Sequence, residues 1–463
     1  MKRHLRSRFI GDRAFYRMVM RVTIPIMIQN GITNFVSLLD NIMVGRVGTE
    51  QMSGVAIVNQ LNFVYALCIF GGLAGAGIFT AQYMGQNDWD GVRYTFRYKL
   101  CLGILVTAIA GALFLLSGDK LIGLYITSGD GTDAALTMEA GLSYLRVMLL
   151  GLPAFMLVQV YTSTLREGSE TMLPMKAGII AVFVNLFFNY LLIFGSLGFP
   201  KLGVTGAAVA TVISRYVELA IVLIWTHTHL DRVPYIRGIY KSFAMPSSLV
   251  KRITVKGAPL LINEALWSSA QAFLVQCYSV RGLNVVAALN ISTTISNLFN
   301  VVFLSLGSSV GIIVGQLLGA DKLEEARDTD NKMIAFSVMI ATGMALLQLL
   351  TAPLFPRIYN TSDAVRTLAT QLMLVSAIFM PQNAFLNASY FTLRSGGKTV
   401  ITFLFDSVSA WLISIPIAFF LSRYTGFHVA LILAMVNIGD WIKCVLGYVL
   451  VKKGIWMHNI VAS

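Results

Sequence analysis

The chain of 463 residues contains an internal repeat, and the first block of each copy lies 234 positions from the other. Residues 25–95 align with residues 259–329 without a gap, and ten of these 71 positions are identical. A second block aligns at an offset of 228, so a slip of six residues falls between the blocks. The landmarks that keep register are Pro25/Pro259, Gly48/Gly282, Gly77/Gly311, Gln82/Gln316, Gly85/Gly319 and Arg93/Arg327, then Pro153/Pro381, Leu165/Leu393, Arg166/Arg394, Gly168/Gly396 and Thr171/Thr399. The repeat predicts a fold built from two copies of one structural unit.

The hydropathy of both copies places them in a membrane. Apolar residues make up 56% of the chain and charged residues only 12%, with a mean hydropathy of +0.72. A soluble protein of this size could not bury so much apolar surface. Twelve segments each approach the roughly 20 residues that cross a bilayer. These spans, numbered 1 to 12, are predicted at 15–38, 53–80, 94–116, 136–162, 173–195, 203–226, 254–279, 285–314, 332–354, 364–390, 400–421 and 427–450.

The net charge of +13 follows the predicted topology. With a cytoplasmic N-terminus, 25 Lys and Arg residues fall in inward segments and seven in outward loops. This asymmetry is the positive-inside rule, and it accounts for the charge without a nucleic-acid partner. The sequence therefore predicts a multi-pass protein of the cell (inner) membrane with cytoplasmic N- and C-termini.

Each copy of the repeat contains six spans, so both copies enter the membrane from the same side. We therefore expect an all-α integral membrane fold of twelve transmembrane helices, in two six-helix lobes related by a parallel pseudo-two-fold repeat. The predicted boundaries are an N-terminal lobe at 1–226, a cytoplasmic linker at 227–252 and a C-terminal lobe at 253–463. Duplicated bundles of this kind are typical of secondary transporters, whose site lies between the two halves.

Five acidic residues fall inside the predicted spans, where insertion of a charge at the bilayer centre costs about 2.5–3.5 kcal/mol. Two of them, Glu218 and Asp440, lie three residues from Arg215 and Lys443, respectively. Side chains three residues apart are neighbours on a helix surface. We therefore predict local ion pairs for these two acids and look to the other three for function.

Glu264 lies midway along span 7, directly after Asn263 and three residues before Trp267. A carboxyl group withdrawn from water can carry a proton, and with amide oxygens nearby it can bind a hard cation such as Na⁺. We predict that Glu264 takes part in cation coupling, as a proton carrier or as a ligand of Na⁺. Asn263 and Trp267 are predicted to contact the substrate.

Asp40 lies near the outer end of span 1, and Asn185 and Asn189 lie in span 5. The two asparagines are four residues apart and share one helix face. Together with Asp40 they are predicted to form a polar, cation-coupling pocket inside the N-terminal lobe. The alternative is that Asp40 is a helix-end acid that faces water or caps the next segment.

Asp406 lies about seven residues into span 11. Two interpretations are open for its carboxylate. It forms an ion pair with Arg394 or Lys398 near the inner surface, or it takes part in cation coupling.

No nucleophile with a matching base, nucleotide-binding loop or zinc motif is present in the sequence. We therefore predict neither an enzyme nor a cofactor, and we expect an ion gradient of Na⁺ or H⁺ to drive any pumping. Aromatic and Met side chains could contact small amphipathic cations through apolar and cation–π interactions. The expected partners are such cations and the membrane lipids, and the chain is expected to act as a monomer.

Five segments of the sequence resemble, in order and place, the multidrug and toxic compound extrusion (MATE) family, and the resemblance covers nearly the whole chain. It implies cation-coupled efflux of organic cations by alternating access between two six-helix lobes. It also implies that Glu264 matches the helix 7 acid of the NorM-like branch. Asp40 and Asn185 match the acid and the asparagine of the pocket used by the DinF-like and archaeal branches. The segments are DNIMVGRVG at 40–48, AQYMGQ at 81–86, GVTGAAVAT at 203–211, NEALW at 263–267 and LRSGGKT at 393–399.

Two positions depart from the family pattern. Asn189 stands where the N-terminal pocket often has an aspartate, and Asn383 stands where the NorM-like branch has its helix 10 aspartate. An asparagine offers an oxygen to Na⁺ but cannot carry a proton, so the coupling ion and its lobe stay open. Asp406 is hypothesised to supply the missing carboxylate in the C-terminal lobe. A flippase for lipid-linked saccharides, from the same superfamily, is the alternative function, although no intramembrane Arg cluster favours it.

Overall fold

The computed structural model describes residues 9–126, 134–359 and 361–462, apart from the side chains at 36–39, 41, 42 and 283. The basic segment at 1–8, predicted to be cytoplasmic, lies outside the described residues. Within them, one long helix corresponds to each predicted span, which confirms the twelve-helix, all-α membrane architecture. The helices are α1 Arg13–Gly45, α2 Thr49–Gln86, α3 Trp89–Gly123, α4 Ala134–Glu167, α5 Met172–Phe194, α6 Val204–Thr228, α7 Ser247–Ser279, α8 Leu283–Gly319, α9 Leu323–Thr351, α10 Asp363–Ser395, α11 Thr399–Tyr424 and α12 Val429–Lys452.

Most of these helices are long and apolar enough to cross a membrane. Among the described residues, ten helices meet that requirement on composition, and α1 and α7 are the exceptions. Both exceptions begin a repeat, and both carry basic residues as well as an acid, Asp40 in α1 and Glu264 in α7. Large apolar side chains such as Leu116 and Leu350 are exposed on the surface, as contact with lipid requires.

The helices extend further than the predicted spans. The 38 residues of α2 correspond to about 57 Å, well beyond the roughly 30 Å of a hydrocarbon core. α9 likewise begins at Leu323, which brings Asp330 inside the helix. Hydropathy marks only the segment in contact with hydrocarbon, whereas the backbone hydrogen-bond ladder continues into the interface.

The chain divides into two compact units. The first contains the chain up to Met27, Ala81–Asn87 and the chain from Thr254 onward, and the second contains Ile28–Thr80 and Asp88–Ile253. Within the first unit, α10 packs against α8, α9 and α12. Within the second unit, α4 packs against α3 and α6, and α6 also packs against α5. The lobe boundaries at 226 and 253 stay predictions.

Within the first unit, the repeat places two glycines at a close contact between α2 and α8. A Cβ atom on Gly85 would overlap the backbone of Gln316, and a Cβ atom on Gly319 would overlap the backbone of Gln82. Gly85 and Gly319 are equivalent in the repeat, as are Gln82 and Gln316. The two helices therefore approach each other symmetrically, and only glycine allows that distance.

The segment after α12 is tied to this contact by one glutamine. The fully buried Gln82 side chain donates from Nε2 to the Ser395 carbonyl at 2.9 Å and to the His458 carbonyl at 3.2 Å. Its Oε1 accepts from the Ile460 backbone N–H at 2.8 Å. Trp456 is buried in the same unit, among apolar residues of α1, α8 and α9. The C-terminal segment is therefore part of the packed fold.

A buried ion pair joins α3 to α4 in the second unit. Lys99 is 0% exposed, and its Nζ lies 2.5 Å from Glu167 Oε2. The same ammonium donates to Thr164 Oγ1 at 3.1 Å and lies 3.4 Å from Ser163 Oγ. These contacts offset the cost of removing a charge from water, so the loss of either charged partner would be costly.

Candidate functional site

The structure brings together the three residues predicted to form a polar pocket in the N-terminal half. Asp40 lies near the end of α1, and Asn185 and Asn189 lie on one face of α5. Asn189 Nδ2 donates to Asp40 Oδ1 at 2.6 Å and to Asn185 Oδ1 at 3.1 Å. Asn185 Nδ2 in turn donates to Thr211 Oγ1 at 3.3 Å. The chain of hydrogen bonds fixes the Asp40 carboxylate against α5.

Asp40 and Asn189 line a cavity of about 590 Å³ that lies within the second unit. Cavities of this size suit small organic ligands. Tyr144 also lines it, and its hydroxyl donates to Asn59 Oδ1 at 3.4 Å. Phe63 adds an aromatic face. The cavity therefore combines one carboxylate with amide, hydroxyl and aromatic groups.

Arg215 lines the same cavity, and the sequence did not place it there. Its Nη1 lies 3.0 Å from Glu218 Oε2, which confirms the local ion pair predicted from their spacing. Its guanidinium also lies 5.6 Å from the centroid of the Phe155 ring. Glu218 compensates the charge of Arg215, so Asp40 supplies a negative charge to the cavity.

An amide oxygen beside the Asp40 carboxylate is available to bind a ligand. Asn189 Oδ1 is buried and has no hydrogen-bond partner among the described residues. Carboxylate and amide oxygens are the ligands that hard cations prefer. The described residues contain no group of three or more His, Cys, Asp or Glu side chains that could hold a metal ion. Binding of Na⁺ here would therefore need amide oxygens in addition to the Asp40 carboxylate, whereas binding of a proton would need the Asp40 carboxylate alone.

A second polar cluster lies in the first unit and connects α7 with α11. Asn263 Nδ2 donates to Asp406 Oδ2 at 3.0 Å, and Ser407 Oγ donates to Asn263 Oδ1 at 2.7 Å. The amide of Asn263 is thus engaged inside the protein on both of its polar atoms. Of the two interpretations open for Asp406, the ion pair with Arg394 or Lys398 is not found among the described residues. The reason is that the closest donor to Asp406 comes from α7, a helix distant in sequence.

Glu264 belongs to the same cluster. Its half-buried carboxyl group interacts electrostatically with Arg394 and with Asp406. Tyr390 interacts electrostatically with all three groups, and its buried hydroxyl lies beside the Arg394 guanidinium. Two carboxyl groups, of Glu264 on α7 and Asp406 on α11, therefore lie in the same part of the unit as the Arg394 guanidinium on α10.

The other two predicted residues of this half are less closely connected. Trp267 is 40% exposed, and Asn383 on α10 is half-buried. Among the described residues, no hydrogen bond joins either side chain to Glu264 or Asp406. Their contributions to substrate and cation binding stay predictions.

The helix around Asp406 is wound more loosely than an α-helix. Leu404–Val408 and Ala410–Ser414 are π-helical, and α11 returns to α-helical geometry at Ile415. Pro416, which lacks a backbone N–H, follows immediately and removes one rung of the regular ladder. Such widened turns are frequent at functional sites, where they free backbone groups and redirect side chains.

Sequence reasoning missed one buried acid, Asp330. Its Oδ1 accepts from Thr392 Oγ1 at 2.5 Å, and its Oδ2 has no hydrogen-bond partner among the described residues. The predicted span begins at 332, two residues after Asp330, and therefore excludes it. The acidic residues Glu324 and Glu325 mark the true first turn of the helix and could have revealed it.

The other local ion pair predicted from the sequence is also confirmed. Lys443 Nζ lies 3.0 Å from Asp440 Oδ1. Asp440 also accepts a hydrogen bond from Ser414 at 2.9 Å, which joins α12 to the π-helical segment. Glu218 and Asp440, the two acids predicted to form local ion pairs, are therefore each paired with the basic residue three positions away.

Comparisons with known proteins identify the family. The family model described as MatE matches residues 25–191 and again residues 259–420, so both matches begin at the repeated prolines. A probable multidrug resistance protein NorM of Thermotoga maritima is 25% identical over 411 residues, which cover 88% of this chain and 85% of that protein. The multidrug resistance protein MdtK of Yersinia pseudotuberculosis is 26% identical over 434 residues, covering 93% of this chain and 92% of that one.

A solved structure shows the same fold. A variant of the Vibrio cholerae MATE transporter VcmN superposes with a TM-score of 0.85 at 16% identity, covering 96% of this chain and 98% of the other. The family model matches well over half of the chain, in two copies that coincide with the internal repeat. The chain therefore belongs to the MatE family of multidrug and toxic compound extrusion transporters.

Proposed function

We propose that this chain is a secondary antiporter that exports organic cations and drugs in exchange for Na⁺ or H⁺. The family supports the proposal, as do relatives named multidrug resistance proteins. The transport cycle would be alternating access between the two lobes, as parallel repeats imply. The same proposal includes small amphipathic cations as substrates and no bound cofactor.

The observation that carries the proposal is the Asp40 carboxylate in a cavity of about 590 Å³. A cationic substrate and a coupling ion would both be attracted to that carboxylate, so each would weaken the binding of the other. Binding free energies coupled in this way are reciprocal. Competition for one carboxylate would then link the export of a drug to the import of an ion. Asn189, which bonds to Asp40, would sense which of the two is present.

A competing assignment places coupling in the C-terminal half. Glu264 interacts electrostatically with both Arg394 and Asp406, and Asn263 donates a hydrogen bond to Asp406. Two carboxyl groups side by side can share one proton or one Na⁺. In this assignment Asp406 supplies the carboxylate that Asn383 lacks.

The test uses purified protein in liposomes loaded with a fluorescent cationic dye. A Na⁺ gradient and a proton gradient are imposed separately on the wild type, on Asp40→Asn and on Glu264→Gln. Glu139→Gln is the matched control, because Glu139 is an exposed acid outside both polar clusters. We expect dye movement driven by one ion, abolished in Asp40→Asn and unchanged in Glu139→Gln.

The outcomes separate the alternatives. Loss of transport in Glu264→Gln with activity kept in Asp40→Asn would move coupling to the C-terminal half. Dye movement that ignores both gradients would refute antiport. No dye movement in any condition would favour the flippase, which is then tested with a fluorescent lipid-linked saccharide in the same liposomes.

The orientation and assembly of the chain belong to the same proposal. The excess of Lys and Arg in alternate segments supports cytoplasmic termini in the inner membrane of a bacterial cell. The proposal also includes a chain that acts as a monomer. Labelling of a cysteine introduced at exposed Lys453 by a membrane-impermeant reagent, from each side in turn, tests the orientation.

A further inference from the structure

A second, basic pocket lies at the beginning of α3, and none of its lining residues belongs to the two polar clusters described above. Its volume is about 310 Å³, and it is bordered on one side by α3 and on the other by the loop between α6 and α7. All of its residues belong to the second unit. The lining residues are Asp90, Arg93, Tyr94, Arg97, Arg237, Gly238 and Lys241.

Arg97, on α3, is one of the residues that line this pocket. The residue is 8% exposed, and its guanidinium donates to the backbone carbonyls of Ile239 at 2.9 Å, Gly238 at 3.2 Å and Ala244 at 3.2 Å. Gly238 has a φ of +74°, which allows its carbonyl to turn toward Arg97. The loop is therefore fixed to the helix and does not act only as a tether between halves.

The positive charge of Arg97 is hydrogen-bonded but not neutralised. Its partners are carbonyl oxygens, and the described part of the chain contains no ion pair of Arg97. Asp90 is the acidic residue among the lining residues, and its carboxylate pairs with Arg93. Arg93 Nε also donates to the Tyr235 carbonyl at 3.2 Å. One carboxylate thus faces two arginines on this helix.

The loop adds two more basic side chains. Arg237 Nη2 lies 3.0 Å from Asp231 Oδ1, but both side chains are well exposed, so water screens that pair. The Lys241 side chain is exposed and has no hydrogen bond or ion pair among the described residues. The pocket therefore presents four basic side chains to one acidic lining residue, which suits an anion with several oxygens.

The position of the pocket along α3 points to the membrane surface. Arg93 and Arg97 lie in the first nine residues of a helix of 35, before the apolar run that begins at Leu100. About 52 Å of helix exceeds the roughly 30 Å hydrocarbon core, so this end reaches the level of the lipid headgroups. On the loop, Tyr240 and Phe243 are 46% and 52% exposed. Exposed aromatic rings beside basic residues are typical of membrane interfaces.

We propose that this pocket binds the phosphate group of an anionic phospholipid headgroup. Arg237 and Lys241 on the loop and Arg93 and Arg97 on α3 would surround the phosphate, while the acyl chains follow the exposed side of α3. A basic pocket at the cytoplasmic end of membrane helices is suited to anionic lipids. A soluble phosphate ester has the same chemistry, and the position at the headgroup level favours the lipid. Binding would hold the α6–α7 loop against α3.

The test measures lipid binding to the purified full-length chain by native mass spectrometry. The probes are palmitoyl-oleoyl phosphatidylglycerol, palmitoyl-oleoyl phosphatidylcholine and soluble glycerol phosphate. We expect tighter binding of the phosphatidylglycerol than of the other two. Arg237→Gln and Lys241→Gln should each raise the Kd for phosphatidylglycerol about fivefold, and together roughly 25-fold, with little change for phosphatidylcholine. Neither side chain holds the loop on α3, so the double variant should fold with an unchanged Tm.

The matched control is Arg232→Gln, which removes an exposed charge from the same loop but outside the pocket. It should change the Kd by less than about twofold, because Arg232 does not line the pocket and an exposed charge without direct contact to the phosphate is screened by water. An equal effect of Arg232→Gln, or equal binding of the two phospholipids, would overturn the site. Equal binding of glycerol phosphate would overturn the assignment to a lipid. None of these outcomes depends on dye transport, so they are independent of the proposed export function.

Discussion

The substitution Gln82→Ala tests whether the C-terminal segment is held as the structure shows. Gln82 is fully buried on α2 and makes three hydrogen bonds to the backbone of Ser395, His458 and Ile460. Alanine removes both the donor and the acceptor of the amide. Each buried backbone group that loses its partner costs about 1–3 kcal/mol.

We therefore expect the free energy of unfolding to fall by at least about 3 kcal/mol. For a chain of this length, 1 kcal/mol corresponds to roughly 1 °C in Tm, so Tm should fall by about 3 °C or more. The measurement is thermal unfolding of the purified protein in detergent. Gln86→Ala is the control, because Gln86 lies one turn further along α2, is exposed and has no side-chain hydrogen bond among the described residues. Its Tm should change by less than about 1 °C.

A double-mutant cycle isolates the contribution of the tail. In a chain that lacks residues 458–463, Gln82 keeps only its bond to Ser395, so Gln82→Ala should cost about 1 kcal/mol. An equal cost of Gln82→Ala in the full-length and shortened chains would refute the reasoning. So would a Tm for Gln82→Ala that matches that of Gln86→Ala.

Three further substitutions follow from the packing of polar groups. Lys99→Ala removes the fully buried ammonium that pairs with the partly buried Glu167, so it should lower the free energy of unfolding by about 3 kcal/mol, the lower end of the range for a buried pair. The double variant Lys99→Met with Glu167→Gln should recover much of that loss in the same thermal assay. Gly319→Ala forces α8 away from the backbone of α2, so it should lower the free energy of unfolding by about 1–3 kcal/mol and lower the Tm. An unchanged Tm would contradict the close contact between the two helices. Asn263→Ala removes the donor to Asp406. If Asp406 takes part in coupling, dye transport should fall as it does in Asp406→Asn, and full activity in both variants would exclude that role.

Several features could be predicted because they depend on neighbours along the chain. The twelve spans follow from local hydropathy, and the repeat follows from landmarks in register. The ion pairs of Arg215 with Glu218 and of Lys443 with Asp440 follow from a spacing of three residues on a helix. The shared face of Asn185 and Asn189 follows in the same way.

The partners of the buried polar groups could not be predicted in this way. Spacing along the chain leaves open an ion pair of Asp406 with Arg394 or Lys398, yet the donor to its carboxylate is Asn263, 143 positions away. The contacts of Gln82 with the C-terminal segment span more than 300 positions, and the basic pocket at α3 needs the loop after α6. The sequence by itself determined how many helices cross the membrane and which of their faces are polar, because hydropathy and helical period are local. The tertiary structure decided which polar faces meet, because that depends on how helices far apart in the chain pack and on which buried groups remain to be satisfied.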